Sequence, residues 1–176
     1  VLLKRYLKYP VFILSSQYLN RKGLLWAVYR GMPVSVNIRL PAKLVHLEQL
    51  VDFVANCAQR HGITHKRVGE IKVAAEEAIV NVINYAYGEN EGNIEVVCIS
   101  EDDRFIIKIV DSGSPFNLLS HKDPDIYMDM SERAIGGLGI YLIKKLVDYI
   151  EYKRENESNI VTLVITNKIR SEQLPA

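Results

Sequence analysis

Two pairs of short, largely apolar runs, each pair joined by a polar turn, constrain this chain more than any other feature. In the first pair, residues 94–99 and the run Phe105, Ile107 and Ile109 flank Glu101, Asp102 and Asp103. In the second, residues 149–153 and 160–165 flank a polar turn at residues 154–159. Short runs rich in apolar and β-branched residues and bounded by turn residues read as strands, and neighbours joined so closely pair antiparallel. A further strand precedes them, with Val34, Val36, Ile38 and Leu40 alternating with Ser35, Asn37 and Arg39 until Pro41 ends it.

Elsewhere the apolar period lengthens to that of a helix. Leu44, Leu47, Val51, Val54 and Ala58 form one stripe, which Gly62 stops. Thr64 is placed to cap a second helix, whose stripe of Val68, Ile71, Ala75, Ala78 and Val82 ends near Tyr87 and Gly88. Residues 138–147 read as a third helix, opened by glycines. Between the first hairpin and that helix, residues 111–137 are rich in Ser, Pro, Gly and Asp and show little periodicity. A loop of that length inside a domain tends to be functional, often a lid. Strands and helices segregate rather than alternate. The expected fold is therefore α+β, a two-layer sandwich of a mostly antiparallel sheet with helices on one face.

The chain has 176 residues, 48% of them hydrophobic, enough for the core of one domain. Its net charge of +1 argues against a polyanion binder, and no direct contact with nucleic acid is expected. The average hides an asymmetry, because Lys4, Arg5, Lys8, Arg21, Lys22 and Arg30 precede Ser35 with no acid among them. We divide the chain into a basic extension at 1–33, a domain at 34–170 and a tail at 171–176. Three readings of the extension stay open: a basic amphipathic arm on a membrane surface, an ordered extra element, or sequence upstream of a start at Met32. The third is favoured because the regular pattern begins directly after it. No run approaches the ~20 apolar residues of a spanning helix, and residues 11–14 are too short for a signal-peptide core. A cytoplasmic location without a membrane span is expected. Cys57 and Cys98 fall inside apolar patterns and lack metal-site spacing, so they read as buried free thiols.

Three short segments can carry chemistry. Glu77 and Asn81 are four residues apart on the second helix, so they share one face. A carboxylate and an amide oxygen so placed suit Mg²⁺, which keeps water and phosphate ligands; the carboxylate can instead accept a proton from an attacking hydroxyl. A solvated helix face with a local hydrogen bond is the bland alternative. Asp111 and Gly113 leave a strand, where a carboxylate beside a glycine can accept a hydrogen bond from an exocyclic amine; an ordinary strand-exit turn looks the same. Gly136, Gly137 and Gly139 open a helix, whose unpaired N–H groups attract phosphate. This box fits neither the P-loop nor the dinucleotide fingerprint. Each segment alone is weak, and their order, with the long loop between the last two, makes the combination specific.

That combination resembles the GHKL ATP-binding superfamily, and most closely the bacterial anti-sigma factor serine kinases, the switch-protein kinases. The similarity rests on Glu77, Ala78, Ile79, Val80 and Asn81, on Tyr85 to Tyr87, on residues 111–116 and on residues 136–142, and it covers roughly residues 35–168. The resemblance implies ATP and Mg²⁺ as cofactors, with Glu77 as general base towards a protein serine and Asn81 as the Mg²⁺ ligand. It implies that Asp111 holds the adenine amine, Gly113 lets the base approach, and Gly137 and Gly139 bring N–H groups to the phosphates under a lid at 117–136. Thr162 sits where the family often places an adenine-contacting threonine, although Asn159 stands where a glycine is common. Glu76 competes with Glu77 for the base role but is rotated about 100° from it. Lys122 and Arg133 could reach phosphate or could be solvated lid charges. Tyr85 reads as packing beside the site.

The implied partners are an anti-sigma-antagonist protein as substrate, a sigma factor, and a second copy of the chain, with the first strand and first helix as contact surface. The competing reading is a nucleotide-gated module that sequesters a sigma factor without useful kinase turnover. Glu77 favours the enzyme, since holding nucleotide needs no base. A two-component histidine kinase would need a phospho-accepting histidine in a helical segment ahead of the domain, and His46, His61, His65 and His121 do not provide one. A gyrase-like ATPase lacks a following module to couple hydrolysis to.

Overall fold

The computed structural model describes residues 12–15, 33–101, 103–120 and 138–166. A six-stranded sheet carries three helices in one layer against it. The strands are β1 (Phe12–Ser15), β2 (Val34–Pro41), β3 (Asn93–Ser100), β4 (Arg104–Asp111), β5 (Tyr149–Glu155) and β6 (Ser158–Thr166). The helices are α1 (Leu47–Arg60), α2 (His65–Tyr85) and α3 (Leu138–Leu146). Their order across the sheet is β1-β2-β3-β4-β6-β5. Only the β1–β2 pair is parallel; every other neighbouring pair is antiparallel. The expected two-layer α+β sandwich is what forms.

Alternation decides which side chains meet the helices. Ile94, Val96 and Cys98 on β3, Phe105, Ile107 and Ile109 on β4, and Val161, Leu163 and Ile165 on β6 all enter the buried core. They meet Leu50, Val54 and Ala58 from α1 and Ile71, Ala75, Ala78 and Val82 from α2. Gly62, at φ +88°, ends α1 as expected. Thr64 does occupy the N-cap of α2, but its side chain makes no cap hydrogen bond; its carbonyl accepts from Val68 N at 2.9 Å. Arg67 joins the start of α2 to the end of α3 through Asp148, 3.2 Å away, whose carboxylate also accepts from Thr166 N at 2.8 Å. His61 packs its ring over Phe105, a structural role.

Both cysteines are buried and free. They face each other where α1 meets β3, and burial pushes the Cys98 thiol well above its ordinary range. Among the described residues no helix is long and apolar enough to cross a membrane.

One expected boundary is corrected. The polar turn at 154–159 contracts to Asn156 and Glu157, both at positive φ (46° and 64°), the conformation of a two-residue hairpin loop. Arg154 and Asn159 are therefore strand residues and sit opposite each other across β5 and β6.

Candidate functional site

Helix α2 organises the site along its length. Glu77 and Asn81 lie one turn apart on one face and are both half-buried. Asn81 donates its Nδ2 to the Glu77 main-chain oxygen at 2.7 Å, the local bond that a solvated helix face would also show. Its Oδ1 therefore lies on the opposite side of the amide, free to meet a cation. With the Glu77 carboxylate it forms a hard oxygen donor set, which fits Mg²⁺ carried by phosphate better than a softer metal.

The N-terminal turn of α3 packs against this face. A Cβ added to Gly139 would collide with Glu77 Oε2 and lie 3.1 Å from its Cδ, so the glycine is what lets the carboxylate reach the helix start. That end of a helix carries unpaired N–H groups and partial positive charge. The candidate base and the candidate phosphate turn are thus in contact. An alanine at 139 forces only the mobile end of Glu77 to move, and alanine is the better helix former. We expect Gly139→Ala to keep its melting temperature while any phosphoryl transfer falls about 10²-fold, as a paired thermal melt and radiolabel assay would read. Gly136 and Gly137 lie outside the described residues, as do Lys122 and Arg133.

At its C-terminal end α2 receives the strand-exit segment. Ser114 N donates to the Ala86 main-chain oxygen at 2.7 Å, and a Cβ on Gly113 would strike that same oxygen and lie 2.6 Å from its carbon. What approaches Gly113 in this structure is therefore the end of the helix. Tyr87 strengthens the joint: its hydroxyl donates to Asn93 O at 2.7 Å and accepts from Ser112 N at 3.0 Å. Tyr85, more than half exposed, stacks on Phe116 with ring centroids 5.2 Å apart, the packing role expected for it. Nine residues separate Glu77 from Ala86, about 13 Å along the axis. One helix thus spaces the Gly139 end from the Asp111 end by enough for a nucleotide laid alongside it.

Asp111 closes β4 and is 4% exposed. Its Oδ1 accepts from Gly113 N at 2.9 Å and from Asn159 Nδ2 at 2.8 Å. Burial pushes the carboxyl above the usual aspartate range, opposed by the Asn159 amide, the Gly113 N–H and the Arg154 charge. Asn159 is itself buried and accepts at Oδ1 from Tyr152 Oη and Arg154 Nη1, both at 2.8 Å. Sequence reasoning missed the part played by Asn159 and Arg154 by assigning the polar stretch to a turn, and that of Tyr152 because a strand assignment alone names no partner for its hydroxyl. The signal was parity: Asn159 continues the inward series of Val161, Leu163 and Ile165, and a polar residue at an inward position needs a partner.

Thr162 is not brought to these residues. It has the opposite parity on β6 and lies between Lys108 and Glu151, on the sheet face turned away from the helices. Glu76 is exposed on α2, rotated off the Gly139 contact.

With this geometry in place, comparison with known proteins is specific. Residues 40–165 match the histidine kinase-like ATPase domain family. Serine-protein kinase RsbW of Listeria monocytogenes serovar 1/2a is 30% identical over 139 residues, which cover 76% of this chain and 88% of that protein. Serine-protein kinase RsbW of Bacillus cereus is 31% identical over 143 residues, 79% of this chain and 88% of that protein. Among solved structures, the RsbU and RsbW domains of a Mycobacterium tuberculosis protein superpose with a TM-score of 0.53 at 16% identity, over 75% of this chain and 32% of that longer one. That last likeness concerns the fold alone.

Proposed function

This chain belongs to the histidine kinase-like ATPase domain family, and from that premise we propose that it is an ATP-dependent protein serine/threonine kinase acting as an anti-sigma factor. The curated relatives are named serine-protein kinases. The observation that carries the reading here is that α2 holds Glu77 against Gly139 at mid-helix and seats Gly113 and Ser114, just beyond Asp111, at its C-terminal end.

In this reading Asp111 Oδ2 accepts the exocyclic amine of adenine, the opening turn of α3 with Gly139 faces the phosphates, and Gly137 is a further phosphate-binding residue. Asn81 Oδ1 would hold Mg²⁺, which when bound would supply positive charge to offset that of the transferring phosphoryl group. Glu77 takes the proton of the attacking serine hydroxyl as its oxygen bonds to the γ-phosphorus, and ADP leaves. Alignment of these groups supplies most of the rate.

The substrate we propose is a small anti-sigma-antagonist protein, with a sigma factor as the sequestered partner and the cytoplasm as the setting. A homodimer through β2 and α1 belongs to the same proposal. Leu44 and Val45, 62% and 80% exposed just ahead of α1, supply apolar surface there.

The deciding experiment is transfer of radiolabel from ATP to such an antagonist, alongside calorimetric titration with ATP. Asn81→Ala is expected to lose both transfer and Mg²⁺-dependent ATP binding, by about 10²-fold or more. Near-native values for both would sink the assignment.

A further inference from the structure

We propose that Asn159 is a positioning residue that sets base selectivity: it commits one oxygen of Asp111 to the protein and leaves the other to accept the 6-amino group of adenine, so that a 6-oxo purine is refused. The proposal rests on the reading of Asp111 as the base-binding carboxylate.

The orientation of the Asn159 amide is fixed by its surroundings. Arg154 Nη1 lies 2.8 Å from one end of it, and a guanidinium only donates. That end is therefore the oxygen, and the Tyr152 hydroxyl, also 2.8 Å away, donates to it as well. The Nδ2 end must then face Asp111 Oδ1 at 2.8 Å and the Ser114 main-chain oxygen at 2.9 Å. The two ends cannot be exchanged without setting donor against donor at Arg154 and acceptor against acceptor at Asp111.

The consequence falls on Asp111. With Gly113 N at 2.9 Å as a second donor, Oδ1 has its bonds supplied from inside the chain. Oδ2 has no hydrogen-bond partner among the described residues. An ionised carboxylate only accepts, so Oδ2 suits an N–H and opposes the carbonyl oxygen of a 6-oxo purine lone pair to lone pair. Burial raises the carboxyl, and the donors on Oδ1 and the Arg154 charge oppose that rise in favour of the ionised form. Arg154 acts through Asn159 and also donates to Gly113 O at 3.1 Å, so it steadies the loop as well as the amide. A merely structural Asn159 would instead brace the end of β6 and would affect every nucleotide alike.

The test compares dissociation constants for Mg-ATP and Mg-GTP by calorimetry in the full chain, in Asn159→Asp and in Arg154→Gln, with a thermal melt of each. Asn159→Asp keeps the shape and the acceptor for Arg154 and Tyr152, but it replaces the donor by a carboxylate that must share a proton with Asp111. ATP affinity is expected to fall about tenfold while GTP affinity changes less than about threefold, which shrinks the ATP preference by nearly the same factor. Arg154→Gln should shift the ratio in the same direction by a smaller amount. An unchanged ratio in folded Asn159→Asp, or equal losses for both nucleotides, overturns the proposal and leaves the ATP site standing. Should Asn159→Asp not fold, Arg154→Gln decides: a reduced ratio supports the role and an unchanged ratio overturns it. A wild-type chain that binds both nucleotides equally would overturn the reading of Asp111 itself, and the proposal with it.

Discussion

Glu77→Gln is expected to lower transfer from ATP to a protein serine by about 10²–10⁴-fold, with the ATP dissociation constant within about threefold of wild type. Glutamine keeps the length and planarity of the side chain, so its contact with Gly139 survives and the start of α3 is not disturbed. What disappears is the ability to take a proton from the attacking hydroxyl. A site whose only task is to hold nucleotide would be indifferent to this change. The expected split between binding and turnover therefore separates the kinase from a nucleotide-gated sigma-binding module. Single-turnover transfer of label to the antagonist, with ATP titrated calorimetrically on the same preparation, gives both numbers. Glu76→Gln is the control, because that side chain is exposed and about 100° round the helix. Turnover within tenfold of wild type in Glu77→Gln would remove Glu77 from the base role.

The second large effect is expected from a single methyl group at the other end of the helix. Gly113→Ala places a Cβ against the Ala86 main-chain oxygen and 2.6 Å from its carbon, and main-chain atoms at the end of α2 cannot swing aside as a side chain would. Either the strand-exit loop lifts, breaking the 2.7 Å bond from Ser114 N to Ala86 O, or α2 frays from its last turn. The first route moves Gly113 N away from Asp111 Oδ1, and the second takes away the helix end on which that loop rests. The cost is expected to be about 2–4 kcal/mol of unfolding free energy, from overpacking together with lost hydrogen bonds, read from a urea melt. ATP binding should be lost with it. The contrast with Gly139→Ala is diagnostic: both add one methyl beside α2, but one meets backbone and the other meets the tip of a glutamate. Equal stability losses in the two variants would contradict this account of how the helix is used.

Much of this architecture was legible in the residues. The short apolar runs and the polar turns between them gave the antiparallel pairs, and the stripe of Val68, Ile71, Ala75, Ala78 and Val82 gave the helix that carries Glu77 and Asn81. Both follow from burial, which local spacing reports directly. Residues whose reason for being polar is a distant partner were not legible. Arg154 and Asn159 look like turn residues because turns are polar. Asn159 is polar because Asp111, 48 positions upstream, needs a donor, and Arg154 is polar because the Asn159 oxygen in turn needs one. Gly113 was read as room for a ligand, yet the atom that crowds it belongs to Ala86, which only the folded chain reveals. Thr162 was placed by likeness to a family pattern, and strand parity turns it to the far face of the sheet, beside Lys108 and Glu151. Counting inward from Leu163 would have shown this without any structure.

The strand order has a consequence in time. β6 lies between β4 and β5 although it follows both in the chain, so β4 keeps an open edge until the last strand arrives. Asp111 then waits for Asn159, and its carboxylate has only the Gly113 N–H until β6 is in register. Closing so long a stretch of chain is slow relative to forming the local β3–β4 hairpin. During synthesis the helix and its two candidate catalytic residues can therefore exist well before the base pocket does. Nucleotide that stabilises the finished pocket would act on the final docking of β6, as a ratchet on the last event of folding rather than an aid to the first.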